Sequence, residues 1–236
     1  MLVHALTDIG LERKENEDFY CLDQDRGLFI IADGMGGHAG GEVASATAVK
    51  VIRDHFIGVT EENYQTVLGD LFSLANQEIY EIGKAKKHLK GMGTTLIALV
   101  VKDDKIFIAH VGDSRVYRLR AGELAQLTDD QNIAGRLLRA GKITEDEAMV
   151  HPGQSLLTNV LGSSQEFEID FMAFDFMPGD TILMCTDGLV GNVKAEEIQS
   201  CLIHYKDPGK AGQKLLHLAL QHGGNDNITM ILIKNS

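Results

Sequence analysis

The chain has 236 residues, of which 44% are hydrophobic and 24% are charged, as in a globular protein with a sizeable core. Its net charge of −12 argues against nucleic acid as a partner, and no apolar run reaches the roughly 18 residues that a membrane helix needs. The N-terminal residues include neither a basic region nor a long apolar segment, so no signal peptide is predicted. The three cysteines form no CxxC pair, which indicates reduced thiols and a cytoplasmic protein.

The first elements alternate between short strands and long helices. Strands are predicted at residues 2–7, 18–23 and 28–32, and the last is apolar throughout, which is typical of a strand buried on both faces. Apolar residues at helical spacing predict one helix from residue 42 and a second helix over residues 62–86.

A strand meander follows, then a small helical insertion and a second group of strands and helices. The meander has strands at residues 94–101, 105–111, 115–120 and 124–127. Because the turns between them are short, we expect these strands to pair as antiparallel hairpins. Later helices are predicted at residues 130–140, 144–150, 195–204 and 208–221. Later strands are predicted at residues 167–176, 181–186 and 228–233.

The grouping of these elements indicates the fold class. Strands occur together and helices occur in pairs, which favours an α+β protein with antiparallel sheets covered by helices over a βαβ alternation. No repeat, low-complexity tract or linker interrupts the chain, so residues 1–236 are expected to form a single domain.

Five aspartates lie at predicted strand ends, and three of them neighbour a glycine. They are Asp18, Asp33, Asp113, Asp187 and Asp226. Any one Asp-Gly pair is usually a turn, and Asp33 alone could equally be the cap of the next helix. Together, the five suggest a site for several hard cations, since Mg²⁺ and Mn²⁺ prefer oxygen ligands. No His/Cys cluster accompanies them, which argues against zinc.

Several motifs follow one another along nearly the whole chain. They are Arg13-x-x-Asn16-Glu17-Asp18, the glycine-rich stretch from Asp33 to Gly41, Met92-Gly93-Thr94-Thr95, His110-Val111-Gly112-Asp113-Ser114-Arg115, Cys185-Thr186-Asp187-Gly188-Leu189 and Gly223-Gly224-Asn225-Asp226-Asn227-Ile228-Thr229. This ordered set resembles the metal-dependent serine/threonine phosphatases of the protein phosphatase 2C type, the PPM family, in their compact bacterial form. The resemblance implies a four-layer α-β-β-α sandwich, in which two central antiparallel sheets are flanked by helix pairs.

The resemblance also implies two bound Mn²⁺ or Mg²⁺ ions, whose protein ligands are carboxylates and one backbone carbonyl. It gives Asp33 the role of bridging two ions, with the carbonyl of Gly34 as a further ligand. Asp187 and Asp226 complete the first ion, while Asp18 holds the second.

Further roles follow from the same resemblance. Glu17 assists Asp18, partly through water, and Asp113 with Asp187 resembles the pair that holds a third, weaker ion. Arg13 resembles the residue that clamps the substrate phosphate, as suits a guanidinium fork. His38 is a candidate proton donor to the leaving oxygen, although a loop histidine can equally hydrogen-bond its own turn.

The implied activity is hydrolysis of phosphoserine and phosphothreonine in phosphorylated proteins, opposing a serine/threonine kinase. In that mechanism a hydroxide bridging two metals attacks phosphorus. The protein is expected to act as a monomer and not to associate with a membrane. The alternatives are a non-catalytic metal-binding regulator with the same fold, which intact aspartates disfavour, and a two-metal nuclease, which the acidic charge disfavours.

A flap beside the cleft is expected over residues 128–165. Family members commonly have a histidine and a serine after Thr-x-Asp, whereas this chain has Gln131 and Asn132 after Thr128-Asp129-Asp130. The departure leaves the proposed ligands intact and concerns the contacts of the flap.

Overall fold

A computed structural model describes residues 1–36 and 40–236, and the bounds below refer to that part of the chain. The strands are β1 (Leu2–Asp8), β2 (Asp18–Asp23), β3 (Leu28–Met35), β4 (Gly93–Thr94), β5 (Leu96–Lys102), β6 (Lys105–Val111), β7 (Arg115–Arg120), β8 (Glu123–Gln126), β9 (Asp170–Asp175), β10 (Thr181–Cys185) and β11 (Ile228–Lys234). The helices are α1 (Gly40–His55), α2 (Tyr64–Ala85), α3 (Ile133–Arg139), α4 (Glu145–Met149), α5 (Asp187–Val190), α6 (Ala195–His204) and α7 (Pro208–Gln221). None of these helices is long and apolar enough to cross a bilayer.

The strands of the described residues form two antiparallel sheets. The first has the order β1-β11-β10-β7-β8, and the second has the order β2-β3-β5-β6-β9 with β4 added to β3. The first sheet joins strands that are distant in sequence, because β1 pairs with β11 along seven residues. The N-terminal and C-terminal strands of the chain are therefore neighbours at one edge of this sheet.

Alternation along the strands places each sheet between a helix pair and the other sheet. In β3, Leu28 and Ile30 belong to the apolar cluster that contains α1 and α2. Phe29 and Ile31 point the opposite way, into a cluster shared by both sheets. All four side chains are fully buried, and each such burial contributes about 1.5–3 kcal/mol.

The first sheet repeats this arrangement with α6 and α7. Leu183 of β10 and Leu232 of β11 pack against these two helices, while Ile182 and Ile231 face the second sheet. The resulting order of layers is helix pair, sheet, sheet and helix pair. The predicted α+β sandwich with four α-β-β-α layers is confirmed.

The prediction that every short turn in the meander joins a hairpin is wrong at one place. β5 pairs with β6 and β7 pairs with β8, but β6 and β7 lie in different sheets. The chain crosses between the sheets within three residues, Gly112 to Ser114. Gly112 allows this because its φ is +108° and a Cβ there would lie 2.5 Å from the Thr95 side chain. Asp113 is therefore carried at the seam between the two sheets.

Several element bounds differ from the prediction. The strand predicted to stop at Ala32 continues through Asp33 to Met35, because Gly34 and Met35 pair with β4. The run over 94–101 is split at Thr95 into β4 and β5, and the helix predicted from residue 130 begins at Ile133. The strand predicted from residue 167 begins at Asp170, and the four-residue helix α5 was not predicted.

Candidate active site

The five aspartates converge where the two sheets meet. Asp18 and Asp33 are directly opposite each other in the β2–β3 ladder, which brings two carboxylates side by side. Asp187 begins α5 directly after β10, and Asp226 lies in the turn before β11. Asp113 occupies the crossing between the sheets. The charges of the other four all act on Asp33, so the strand ends predicted to meet do meet.

The exposure of these side chains increases from one side of the cluster to the other. Asp18 and Asp113 are buried, at 6% and 5% exposed, whereas Asp33 and Asp187 are partly exposed. The Asp226 side chain is 31% exposed, and that of Arg13, which contacts it, is 52% exposed. The cluster is thus a cleft that opens to solvent beside Arg13.

Two carboxylate oxygens in the cluster have no hydrogen-bond partner in residues 1–36 and 40–236. They are Asp18 Oδ1 and Asp187 Oδ1, and both are shielded from solvent. The other oxygen of Asp18 accepts a hydrogen bond of 2.9 Å from Thr186 Oγ1. An unpartnered buried oxygen costs about 1–3 kcal/mol, and more when it is charged. These two oxygens therefore have lone pairs that no described protein group satisfies.

Burial and mutual repulsion raise the pKa of four carboxyls of the cluster, those of Asp18, Asp33, Asp113 and Asp187. Burial, helped by the charges of Asp187 and Asp226, raises the pKa of Asp18 to about 7, although a hydrogen bond from Thr186 acts in the opposite direction. Burial followed by the charge of Asp187 raises the pKa of Asp113 to about 7. The pKa of Asp187 rises to about 6 through burial and the charge of Asp226. For Asp33, burial and then the charge of Asp18 place the pKa well above its ordinary value.

These features fit divalent metal ions. Hard cations take carboxylate oxygens, and a positive charge in the cleft would satisfy the unpartnered atoms and offset the repulsion. Among the residues that the structure describes, no group of three or more His, Cys, Asp or Glu side chains is already in position to hold one ion. Binding therefore requires inward rotation of carboxylates, or backbone and water oxygens to complete the coordination, as is common for Mg²⁺.

Glu17 and Gly34 lie together at the base of the cleft. The Gly34 amide donates to the Glu17 carbonyl at 3.1 Å, and Ser45 Oγ donates to the same carbonyl at 2.6 Å. A Cβ on Gly34 would lie 2.1 Å from the Gly41 carbonyl oxygen, and one on Gly41 would lie 2.6 Å from the Glu17 carboxyl carbon. Gly34 and Gly41 are thus required by the close packing of β3, α1 and the Glu17 loop.

Arg13 is held at the open side of the cleft by the Asp226 turn. Its Nη2 donates to Asp226 Oδ2 at 2.6 Å. Asn227 fixes the loop that contains Arg13, because its Nδ2 donates to the carbonyls of Ile9 and Glu15 and its Oδ1 accepts from the Glu17 amide. No role was predicted for Asn227 from the sequence, although it lies inside the motif from Gly223 to Thr229.

The Asp113 loop is anchored from both sheets. Thr95 Oγ1 accepts from the Asp33 amide at 3.0 Å and is 2.9 Å from Ser114 Oγ, so it ties β3 to the crossing. Arg115 donates two hydrogen bonds to Asp130, at 2.8 and 2.7 Å. Asn132 donates to Asp113 itself at 3.0 Å. This contact was not predicted from the sequence, where Asn132 differs from the residue that family members commonly have at this position.

One predicted site residue, His38, lies outside the described residues. Thr144 and Glu147 form a capping box at the start of α4, away from this cluster. The remaining predicted site residues lie in or around the cleft.

Comparison with known proteins assigns the family. The family model described as protein phosphatase 2C matches residues 13–205. The serine/threonine phosphatase stp of Listeria monocytogenes is 36% identical over 235 residues, covering 97% of this chain and 93% of that protein. The crystal structure of the Mycobacterium tuberculosis serine/threonine phosphatase PstP/Ppp is 35% identical with a TM-score of 0.90, covering 98% of this chain and 96% of that one. A structure of the PstP catalytic domain in complex with two manganese ions has 33% identity, a TM-score of 0.88 and coverages of 98% and 96%.

The chain belongs to the protein phosphatase 2C family. The predicted resemblance to bacterial members is confirmed, as is the prediction of a phosphoprotein phosphatase rather than a non-catalytic regulator.

Proposed function

We propose that this protein hydrolyses phosphoserine and phosphothreonine in proteins with the help of Mn²⁺ or Mg²⁺ bound in the aspartate cleft. The observation that carries the proposal is the pair of buried, unpartnered oxygens of Asp18 and Asp187 among five converging carboxylates. A purely structural cluster would have gained from neutral side chains at these positions. The two manganese ions of the related PstP catalytic domain support the same ligand class.

The proposed ligands divide between two principal ions. Asp33 lies between Asp18 and Asp187 and is assigned to bridge both ions. Asp187 and Asp226 complete the first. Asp18 and Glu17 would hold the second, partly through water, and Gly34 would offer its carbonyl as a further ligand. A third, weaker ion is assigned to Asp113 and Asp187.

The reaction needs a nucleophile, a held phosphate and a cleft that keeps both in line. Divalent cations, when bound, supply the nucleophile from water near neutral pH and offset charge on the phosphoryl oxygens. Asp33 and Asp18 fix the floor of the cleft through their cross-strand pairing. Arg13, aimed across the opening by Asp226, orients the phosphate through its remaining donors. His38 stays a candidate to protonate the leaving oxygen.

Other features of the proposal follow from the same site. Residues 1–236 act as one catalytic domain, and residues 128–165 form a flap that contacts the aspartate cluster through Asn132. The substrates are phosphoproteins, made by an opposing serine/threonine kinase. Action as a monomer in the cytoplasm stays a prediction.

Turnover of a phosphothreonine peptide tests the function. We expect hydrolysis with Mn²⁺, loss of at least about 100-fold with a chelator, and recovery when Mn²⁺ is restored in excess. Phosphate release and Mn²⁺ binding are measured on the same sample. Binding of Mn²⁺ without phosphate release would favour the non-catalytic regulator, and release that persists in chelator would contradict metal dependence.

Replacing Arg13 with alanine is expected to raise KM for the phosphopeptide by about 10- to 100-fold, the value of a charge-assisted hydrogen bond. The effect on kcat should be smaller, because the phosphoryl oxygens are present in both the ground and transition states. Steady-state kinetics measure the two constants. Lys14→Ala is the matched control, since Lys14 is the adjacent exposed cation. An equal rise in KM in both variants would mean that general charge, and not the position of Arg13, binds the phosphate.

A further inference from the structure

The flap begins with two buried amide side chains that contact the Asp113 loop. Gln131 is 8% exposed and Asn132 is 1% exposed, although both lie in an irregular segment before α3. Buried amides in such a segment require hydrogen-bond partners. Their partners belong to the flap, to the crossing between the sheets and to the edge strand β9.

Asn132 joins the flap helix to Asp113 through one rigid group. Its Oδ1 accepts from the Gly135 amide at 2.8 Å, which caps α3. Its Nδ2 donates to Asp113 Oδ2 at 3.0 Å. Because the amide is planar, the cap and the contact to the carboxylate fix each other's direction.

Gln131 holds the backbone next to Asp113 in the same way. The backbone N–H of Gln131 donates to the Gly112 carbonyl at 2.9 Å, and its side-chain Oε1 accepts from the backbone N–H of Gly112 at 2.7 Å. Its Nε2 donates to Asp170 Oδ2 of β9 at 2.7 Å. Both backbone groups of Gly112 are therefore hydrogen-bonded to Gln131, which couples the position of the adjacent Asp113 to that of Gln131.

We propose that Asn132 is a positioning residue of the phosphatase reaction, which orients the Asp113 carboxylate and transmits the position of the flap to it. The inference rests on the proposed function, in which Asp113 is a ligand of the third, weaker ion. Asp113 Oδ2 then accepts the hydrogen bond from Asn132 Nδ2, and this bond fixes the orientation of the whole carboxylate, including Oδ1. A flap that swings away takes Nδ2 with it and releases the carboxylate, so substrate access and the weakest metal site are coupled through one hydrogen bond.

Variants that retain the helix cap separate the two roles of Asn132. Serine and aspartate are both good caps, but the serine oxygen falls short of the Nδ2 position and aspartate places a second carboxylate before Asp113. We expect Asn132→Ser to lower kcat about tenfold with KM changed less than about twofold, and Asn132→Asp to lower kcat further. Amide exchange of residues 133–139 should be unchanged in both variants. In calorimetric titration with Mn²⁺, the weakest site should weaken about tenfold while the tighter sites stay the same.

The matched control removes a cap elsewhere in the flap. Thr144→Ala breaks the exposed capping box of α4, which does not contact Asp113. It should speed amide exchange over residues 145–149 and leave kcat unchanged. In an Asp113→Ala background, Asn132→Ser should have no further effect on kcat or on Mn²⁺ binding.

The outcomes separate this inference from the proposed function. Wild-type kcat and Mn²⁺ affinity retained in Asn132→Ser, or an equal loss in the Asp113→Ala background, would overturn the positioning role and leave the phosphatase intact. A loss matched by faster exchange in α3, or reproduced by Thr144→Ala, would overturn it in favour of flap stability. No Mn²⁺-dependent turnover in the wild-type protein would overturn both.

Discussion

Replacing Asp33 with asparagine should lower kcat on a phosphothreonine peptide by about 10³-fold or more. Asp33 faces Asp18 across the β2–β3 ladder and lies close enough to Asp187 for the charge of that residue to raise its pKa, so its carboxylate is the one between the two proposed ions. Asparagine keeps the size of the side chain and removes the charge that two cations would share. Asp187→Asn should have a loss of the same order, because Asp187 contributes to the first and third ions.

The same β-hairpin provides the control for this prediction. Asp23 ends β2 opposite Leu28, five residues from Asp18, and its carboxylate pairs with Arg26 at 2.7 Å. Asp23→Asn should leave kcat and Mn²⁺ binding unchanged. Full Mn²⁺-dependent turnover in Asp33→Asn or Asp187→Asn would refute the assignment of the cleft as the catalytic centre. A loss in Asp23→Asn of the same size would point to damage to the hairpin instead.

The layers of the fold could be predicted because they depend on local patterns. The run Leu28–Ala32 is apolar in every position, which is the pattern of a strand covered on both faces. In the structure, α1 and α2 cover one face of this strand and the first sheet covers the other. The long helix α2 and its partner α1 followed from apolar spacing. Grouped strands then left little choice besides antiparallel sheets.

The change of sheet at Asp113 could not be predicted in the same way. β6 and β7 both have the composition of a strand, and a three-residue break between two strands usually makes a hairpin. The choice depends on β10 and β9, which pair with β7 and β6 from far along the chain. The φ of +108° at Gly112 permits the crossing, but a glycine in sequence does not show its own dihedral angle.

The acidic residues of the site could be predicted, whereas the amides that orient them could not. Asp33, Asp113 and Asp187 each follow an apolar run in the sequence, and the ends of such runs in a sandwich meet at the same rim. Asn227 and Asn132 occupy turns, where asparagine is common for local reasons. Their partners lie up to 218 residues away, as in the bond from Asn227 to the Ile9 carbonyl, and only the folded chain brings them together.

In chelator, the protein is expected to become more stable as the pH falls from 8 to 5. Asp18, Asp113 and Asp187 have pKa values of about 7, 7 and 6 in the folded state against 3.8 for an unperturbed aspartate, so folding favours their protonated forms. That stabilisation is present in full below about pH 4 and is lost as the pH rises through 6 to 7. One carboxyl shifted from 3.8 to about 7 corresponds to about 4 kcal/mol, or a change in Tm of roughly 10 °C for a chain of this size.

Mn²⁺ should reverse this dependence, because it binds the charged carboxylates. At 100 times its dissociation constant, a ligand stabilises the folded state by about 2.7 kcal/mol, which is about 5–11 °C in Tm here. The difference in Tm between the Mn²⁺ and chelated forms, measured by scanning calorimetry, should be largest at pH 8 and small at pH 5. Asp33→Asn should raise the chelated Tm at pH 8 and lose most of the Mn²⁺ increment, while Asp23→Asn should behave as the wild type. A chelated Tm that falls from pH 8 to 6, or an increment equal at both pH values, would mean that the cluster is not the metal site.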